Sequence, residues 1–332
     1  MMAEGARFWM QGKSATNLLE VSKDPSSLDD GGFWAVSVTY EGQWLCAKFS
    51  DPVEEPFSTS NEWADSTDAW ESSFLRQEYI DYVERMRSAI EAGEIYQANA
   101  CRIYSRENSQ KLEGLFSELL RKNPAPYSSY LRVDDHEIAS ASPELFIEIS
   151  QMDGKRRIKT SPVKGTSRSE EFPEKDRSEN IMIVDLMRND LSSLCVTGSV
   201  STPRLLAVEQ HPGLFHLVSD VEGELRADIG WRDIADRLLP AGSISGAPKS
   251  SAKKIIAGNE NERGPYCGLI GWVHGDRAVL AVAIRTFWQS GGKLNFGSGA
   301  GITWGSDPEL EWDETVLKAS KLLTIAGGRF EE

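Results

Sequence analysis

The chain has 332 residues, 40% of them hydrophobic, enough for one large domain or two medium ones around a sizeable core. Lysine and arginine number 36 against 51 acidic residues, a formal charge of −15, and a balance so acidic argues against nucleic acid or an anionic membrane as partner, since both require a basic footprint. Cys46, Cys101, Cys195 and Cys267 are scattered, with no C-x-x-C pair to suggest zinc or redox chemistry, and no apolar run is long enough for a signal peptide or a membrane helix. A cytoplasmic enzyme is the resulting expectation.

Along the chain, Phe33–Thr39 and Trp44–Phe49 read as strands flanking Glu41-Gly42, a hairpin. Residues 51–67, with Pro52, Pro56, serines and acids, read as a loop. They mark the expected boundary between a short strand-rich extension, 1–67, packed on the main body, and a main domain, 68–328. Trp70–Ala92 predicts a helix, because Tyr79, Val83, Met86 and Ile90 recur at helical spacing and Gly93 follows as a stop. Strands are expected at Ile95–Tyr104, Leu131–Val133 and Leu145–Ser150, then a helix over Arg177–Leu191. Further strands follow at Ser199–Thr202 and Leu214–Val221, and a helix at Trp231–Leu239. Tyr266–Val273, Ala278–Trp288 and Lys293–Phe296 predict late strands, and Pro308–Ile325 a last helix. Clustered strands without regular βαβ alternation predict an α+β fold.

Several constellations carry possible chemistry. In the last helix Glu311, Glu314 and Lys318 share one face, while Trp312, Val316, Ala319 and Leu323 form an anchoring apolar stripe. The two glutamates repel modestly at this spacing; the face is either a solvated acidic surface or the edge of a cation site. Asp176–Asp190 (DRSENIMIVDLMRND) is a helix with an apolar middle that still carries Glu179, Asp185, Arg188 and Asp190, and buried acids need a partner or a metal. Arg188 with Asp185 reads as a structural pair, whereas Glu179 lies apart from it. Lys164, in Ser161–Thr166 (SPVKGT), is a surface lysine by default; the sharper reading is a nucleophilic or anion-binding amine. Gly297–Ile302 (GSGAGI) and Gly242–Ser250 (GSISGAPKS) fail as dinucleotide and P-loop motifs. Their turn N–H groups remain suited to a carboxylate. Arg285, in an apolar strand, needs an anionic partner. His216, between Phe215 and Leu217, is a satisfied core histidine or a site residue.

Eight of these pieces, in order from about Trp70 to Leu323, are similar to the motifs of the chorismate-utilising enzymes. They are Glu94–Asn99 (EIYQAN), Ser142–Phe146 (SPELF), Pro162–Thr166 (PVKGT), Asp176–Asp190, His216–Ser219 (HLVS), Gly242–Lys249, Gly299–Ile302 (GAGI) and Glu311–Thr315 (EWDET). The resemblance implies two antiparallel β-sheets flanked by helices, with the site between them. It implies Mg²⁺ on Glu179 and Glu314 with Glu311 close by, and substrate contacts from Thr166, Ser243, Tyr266, Arg285, Gly299, Gly301 and Lys318. Lys164 is implied as nucleophile, with Glu144 and His216 as further catalytic residues.

Two positions set the implied branch. Gln97 stands where isochorismate and salicylate synthases carry a lysine base, and Lys164 where anthranilate synthases usually carry alanine. The pattern resembles component I of aminodeoxychorismate synthase, which aminates chorismate at C4 with ammonia in the para-aminobenzoate and folate pathway. The alternatives are an anthranilate synthase large subunit, or a non-catalytic chorismate-binding protein. No cysteine lies in a glutaminase-like context, so a separate glutamine amidotransferase subunit is the expected partner and ammonia source.

Overall fold

The computed structural model describes residues 5–167, 169–211 and 214–330, except that the side chains of Thr166, His211, Leu214 and Ser243 lie outside what it describes. Two antiparallel sheets, each of ten strands among the described residues, form the body of the molecule. The first runs from Gly246–Ala247 through Gln97–Glu107, Lys293–Ile302, Thr286–Ser290, His136–Ser142 and Tyr127–Val133 to Arg7–Met10 and its N-terminal neighbours. The second runs from Val163–Ser167 through Leu214–Glu224, Lys155–Ser161, Leu145–Met152, Arg277–Val282 and Leu269–His274 to Phe33–Val38, Trp44–Phe49 and Leu18–Ser22. The α+β expectation therefore holds. Strands from the N-terminal segment enter both sheets: Phe8 pairs with Leu131 in one, and Val36 pairs with Gly271 in the other.

The larger core lies between the sheets, joining Phe8, Leu131 and Ile138 of the first to Trp34, Val36, Ile147 and Leu280 of the second. Burying each such side chain contributes about 1.5–3 kcal/mol. A second cluster, with Tyr104, Phe116, Tyr130, Phe287 and Leu323, lies where the Leu112–Lys122 and Pro308–Ala326 helices cover the other face of the first sheet. The Glu174–Ser192 helix packs on the Leu214–Glu224 and Val163–Ser167 strands through Ile183, Val184, Met187 and Leu191. No described helix is long and apolar enough to cross a membrane.

Three expectations are corrected. The first helix is Arg76–Glu91 and starts later than Trp70. Residues Glu71–Ser72 pair as a strand with Ser105 and Tyr104 instead, and the Glu78 carboxylate accepts the Leu75 N–H at 2.8 Å to fix the start. The apolar run Ala278–Trp288 is two strands in different sheets, Arg277–Val282 and Thr286–Ser290, because Arg285 takes a left-handed backbone with φ +52°. The glycine stretch 297–301 is not a turn. It continues the Lys293–Ile302 strand, paired along its length with Gln97–Glu107.

A buried ion pair ties several of these pieces together. Arg263 Nε lies 2.7 Å from Glu260 Oε2, with both side chains almost fully enclosed. Glu260 also accepts the Tyr82 hydroxyl at 2.8 Å and the Cys101 N–H at 2.9 Å. Arg263 donates to the Asn99 carbonyl at 2.7 Å and lies 4.3 Å over the Tyr40 ring. Removing one partner of such a pair costs about 3–5 kcal/mol, since the other charge stays buried.

His136 bridges the sheets through a 3.3 Å contact with Ser37 Oγ, and burial pushes its pKa down to about 4. The unfolded chain, with an ordinary histidine, binds this proton more tightly than the folded one. Stability is therefore full above the unfolded value of about 6.5 and falls as pH drops toward 4. At about 1.4 kcal/mol per unit the loss amounts to roughly 3 kcal/mol. Denaturant unfolding of His136→Gln across this window should show a shallower pH slope than wild type; an unchanged slope would refute the assignment.

Candidate active site

Lys164 sits on an irregular edge strand. The pairing of Val163–Ser167 with Leu214–Glu224 shifts register between Val163 and Thr166, and Gly165 has φ +83°. A Cβ at Gly165 would come within 2.8 Å of the Asp176 carboxylate and 2.9 Å of the Phe172 ring. Glycine thus lets the strand press on the start of the Glu174–Ser192 helix. The half-buried Lys164 is left acting electrostatically on Asp176, Glu179 and Glu314.

Four carboxylates from two helices meet three lysines here. Burial raises the pKa of Glu179, with Lys164 and Lys175 only partly offsetting it. Burial likewise raises Asp176. The Lys175 ammonium lies 3.4 Å from Glu311 Oε1 and 3.9 Å from Glu179 Oε1, so it links the two acidic helices. Burial works against that charge, but Glu311, Glu179 and Glu314 outweigh it and hold Lys175 above its ordinary value. Glu314 turns to Lys318 at 2.6 Å. For Glu314 burial is outweighed by Lys318, then Lys175 and Lys164, and the carboxyl is held below its usual range. Lys318 in turn donates to the Gly299 carbonyl at 3.0 Å.

The implied magnesium ligands are Glu179, Glu311 and Glu314. Among the described residues no three acids, histidines or cysteines are gathered as a ready metal cage. Yet Glu179 Oε1 and Glu311 Oε2 are buried without a hydrogen-bond donor. Such oxygens are the hard donors that Mg²⁺ takes, and the Lys175 ammonium beside them shows that the gap accepts positive charge. The residues present fit a divalent cation.

Glu144 and Arg285 occupy a second constellation. Glu144 lies where the chain leaves His136–Ser142 in one sheet for Leu145–Met152 in the other, and Arg285 where it returns from Arg277–Val282 to Thr286–Ser290. The two crossings run side by side. Val282 N–H donates to the Glu144 carbonyl at 3.1 Å and Ala141 N–H to the Arg285 carbonyl at 3.0 Å. Glu144 is buried, while Arg285 is half-buried, its pKa lowered by burial, and has no ion-pair partner among the described residues. A guanidinium so placed is a site for an anion.

The glycine strand forms a third group. Each glycine makes room for a side chain: a Cβ at Gly297 would fall 2.0 Å from the Tyr266 ring, at Gly299 2.7 Å from Cys101 Sγ, and at Gly301 2.9 Å from Gln97 Nε2. Tyr266 is consequently buried against Gly297. His216, also buried, is the cross-strand partner of Thr166. The Thr166 and Ser243 hydroxyls, both expected contacts, lie outside the described side chains.

Gln97, the branch-setting position in the EIYQAN motif, is buried beside Gly301 with its Oε1 lacking a donor. Sequence reasoning missed Lys175 as a site element; it precedes the DRSE run and carried no signal beyond its spacing of four from Glu179.

The pattern of the chorismate binding enzyme family matches residues 27–324, and the chain belongs to that family. It is 35% identical over 269 residues to anthranilate synthase component 1 of Aquifex aeolicus, covering 76% of this chain and 54% of that protein. It is 34% identical over 296 residues to aminodeoxychorismate synthase component 1 of Salmonella typhimurium, covering 85% of this chain and 63% of that protein. The chain thus spans between about half and two thirds of these relatives. Its fold matches the crystal structure of anthranilate synthase component I from Streptococcus pneumoniae with a TM-score of 0.78 at 22% identity, covering 98% of this chain and 91% of that one.

Gly297→Ala should destabilise the protein by about 1–3 kcal/mol, the usual cost of overpacking a filled core. Urea unfolding measures it, and a neutral result would mean that Tyr266 is free to withdraw.

Proposed function

We propose that the protein is a component I aminodeoxychorismate synthase: it aminates chorismate at C4, using ammonia, to give 4-amino-4-deoxychorismate. The observation that carries this reading is Lys164, an amine brought by the Gly165 irregularity into the field of Glu179 and Glu314. Relatives named for either activity are about equally similar, so the choice between them rests on that lysine and on the branch motif around it.

In this scheme Arg285 takes one substrate carboxylate in its fork. Lys318, whose ammonium reaches from the last helix to the Gly299 carbonyl, and the Gly299–Gly301 backbone orient the other, and Tyr266 backs the glycine strand. Held between Glu179, Glu311 and Glu314, Mg²⁺ would supply positive charge to a substrate carboxylate and Lewis acidity toward the leaving hydroxyl. Lys164 attacks C2 with its lone pair as the C4 hydroxyl departs; ammonia then adds at C4 and the C2–N bond to Lys164 breaks. Glu144, at the crossing beside Arg285, supports proton transfer, and His216 lines the strand facing Thr166. Thr166 and Ser243 supply hydroxyl contacts in the same proposal. Gln97, with an amide in place of an amine, provides no base to activate water.

With chorismate, Mg²⁺ and ammonium the chain should yield aminodeoxychorismate and no pyruvate by chromatography. Anthranilate with one pyruvate per turnover would overturn the assignment in favour of the lyase. Lys164→Ala should lose at least about a hundredfold in turnover, in the range typical of an essential catalytic group, and a near-normal rate would defeat the covalent scheme. Glu179→Gln should abolish the rise in melting temperature that Mg²⁺ gives the wild type. With glutamine in place of ammonium the chain should be silent until an amidotransferase subunit is added.

A further inference from the structure

Two of the motif stretches, Asp176–Asp190 and His216–Ser219, each carry a polar residue that the proposed chemistry leaves unused. Asn180, next to Glu179, and Ser219 are both fully buried, and they meet. The Ser219 hydroxyl donates to Asn180 Oδ1 at 2.5 Å, and the Asn180 amide donates to the Leu217 carbonyl at 3.2 Å. Ser219 Oγ also accepts the Leu206 N–H at 2.9 Å. That N–H is released by a break in the Ser201–His211 strand, whose pairing with Leu214–Glu224 shifts register between Arg204 and Ala207, where Leu206 is left-handed at φ +54°. The Ser219 backbone N–H in turn donates to the Pro162 carbonyl at 3.3 Å, two residues before Lys164.

These bonds do what the packing around them cannot. Ile183, Val184, Met187 and Leu191 press the Glu174–Ser192 helix onto the Leu214–Glu224 and Val163–Ser167 strands, but apolar contact is non-directional and tolerates sliding and rotation. A hydrogen bond is directional, and a buried network that is satisfied specifies a single arrangement. Asn180 is locked between Leu217 and Ser219, so the adjacent Glu179 has one rotational setting and one height above the strand. Ser219 holds Pro162 at the same time, and the edge strand, irregular beyond Val163, carries Lys164 from there. The same two side chains therefore fix both the carboxylate and the amine.

We propose that Asn180 and Ser219 are positioning residues that hold the helix bearing Glu179 in register with the strand bearing Lys164, and so set the separation of metal ligand and nucleophile. This role rests on reading Glu179 as a magnesium ligand and Lys164 as the nucleophile. The pair acts through those two groups, so its loss should slow turnover of bound substrate and weaken the metal, while chorismate affinity stays with Arg285 and Lys318.

The test compares Ser219→Ala with Val184→Ala, which trims the apolar face of the same helix and leaves the clamp intact. Turnover and KM for chorismate are measured with ammonium and saturating Mg²⁺, below the melting transition of every variant. The Mg²⁺ concentration giving half of the rise in melting temperature is measured without substrate. Ser219→Ala should lose about tenfold or more in kcat with KM within about threefold, and should need about tenfold more Mg²⁺, the size usual for groups that orient a metal site from outside its ligands. Val184→Ala should lower the melting temperature and change neither the kinetic constants nor the Mg²⁺ requirement. The Ser219→Ala, Asn180→Ala double variant should be no slower than the slower single variant, because the pair acts as one unit. If Ser219→Ala does not fold, Ser219→Cys, which keeps a weak donor in nearly the same volume, takes its place in each comparison. Equal behaviour of Ser219→Ala and Val184→Ala, or losses that multiply in the double variant, would overturn the clamp while Lys164→Ala stays inactive. A near-normal Lys164→Ala would instead sink the functional reading, and the Mg²⁺ comparison still decides the clamp's hold on Glu179 whatever reaction the site performs.

Discussion

Two chain segments exchange sheets at the same level, and the site depends on how that crossing is held. Backbone leaving a sheet forfeits its ladder bonds, and each buried N–H and C=O must find another partner. Here the segments satisfy one another: Ser142 Oγ donates to the Val282 carbonyl at 2.6 Å, and Ala283 both accepts from Cys267 N–H at 3.0 Å and donates to the Gly268 carbonyl at 2.8 Å. The left-handed backbone at Arg285, worth on the order of 1–3 kcal/mol of strain, persists because its surroundings over-determine it. Strain, an unpaired cation and a buried carboxylate coincide where the layers join, which is where a rigid scaffold can hold opposed chemistry without a mobile loop.

The charge distribution resolves an apparent conflict between a strongly acidic chain and the anionic substrate proposed for it. Lys164, Lys175 and Lys318 surround Glu179, Glu311 and Glu314, while Arg285 stands apart from any acid among the described residues. Beyond about 10 Å at ordinary salt the surface acids are largely screened, so the local balance governs recognition. The net charge serves solubility and discourages polyanions; the site is defined by which charges are compensated and which are not.

Much of this was legible in the residues. Helical spacing placed Glu311, Glu314 and Lys318 on one face, and the apolar residues of the Glu174–Ser192 helix anchor it to the second sheet, although only that one face is buried. The hairpin around Glu41-Gly42 followed from turn chemistry. What stayed hidden has physical causes. Apolar periodicity is blind to a single left-handed residue, so Arg285 read as mid-strand when it separates two sheets. Glycines signal turns by composition, but in 297–301 they give clearance, to a tyrosine ring, a thiol and an amide that lie far away in sequence. The meeting of Lys175 with Glu311 is tertiary and leaves no local trace.

The strand pairing has a consequence for how the chain reaches this state. Phe33–Val38 finds its partner in Leu269–His274, and Gln97–Glu107 finds its own in Lys293–Ile302. Neither sheet can close until the last third of the polypeptide is available, so the early strands wait with unpaired edges and exposed aromatic faces. Contacts so distant in sequence make for slow assembly and for intermediates prone to associate. During synthesis the strands of the N-terminal half therefore keep open edges until the glycine strand emerges to complete the first sheet.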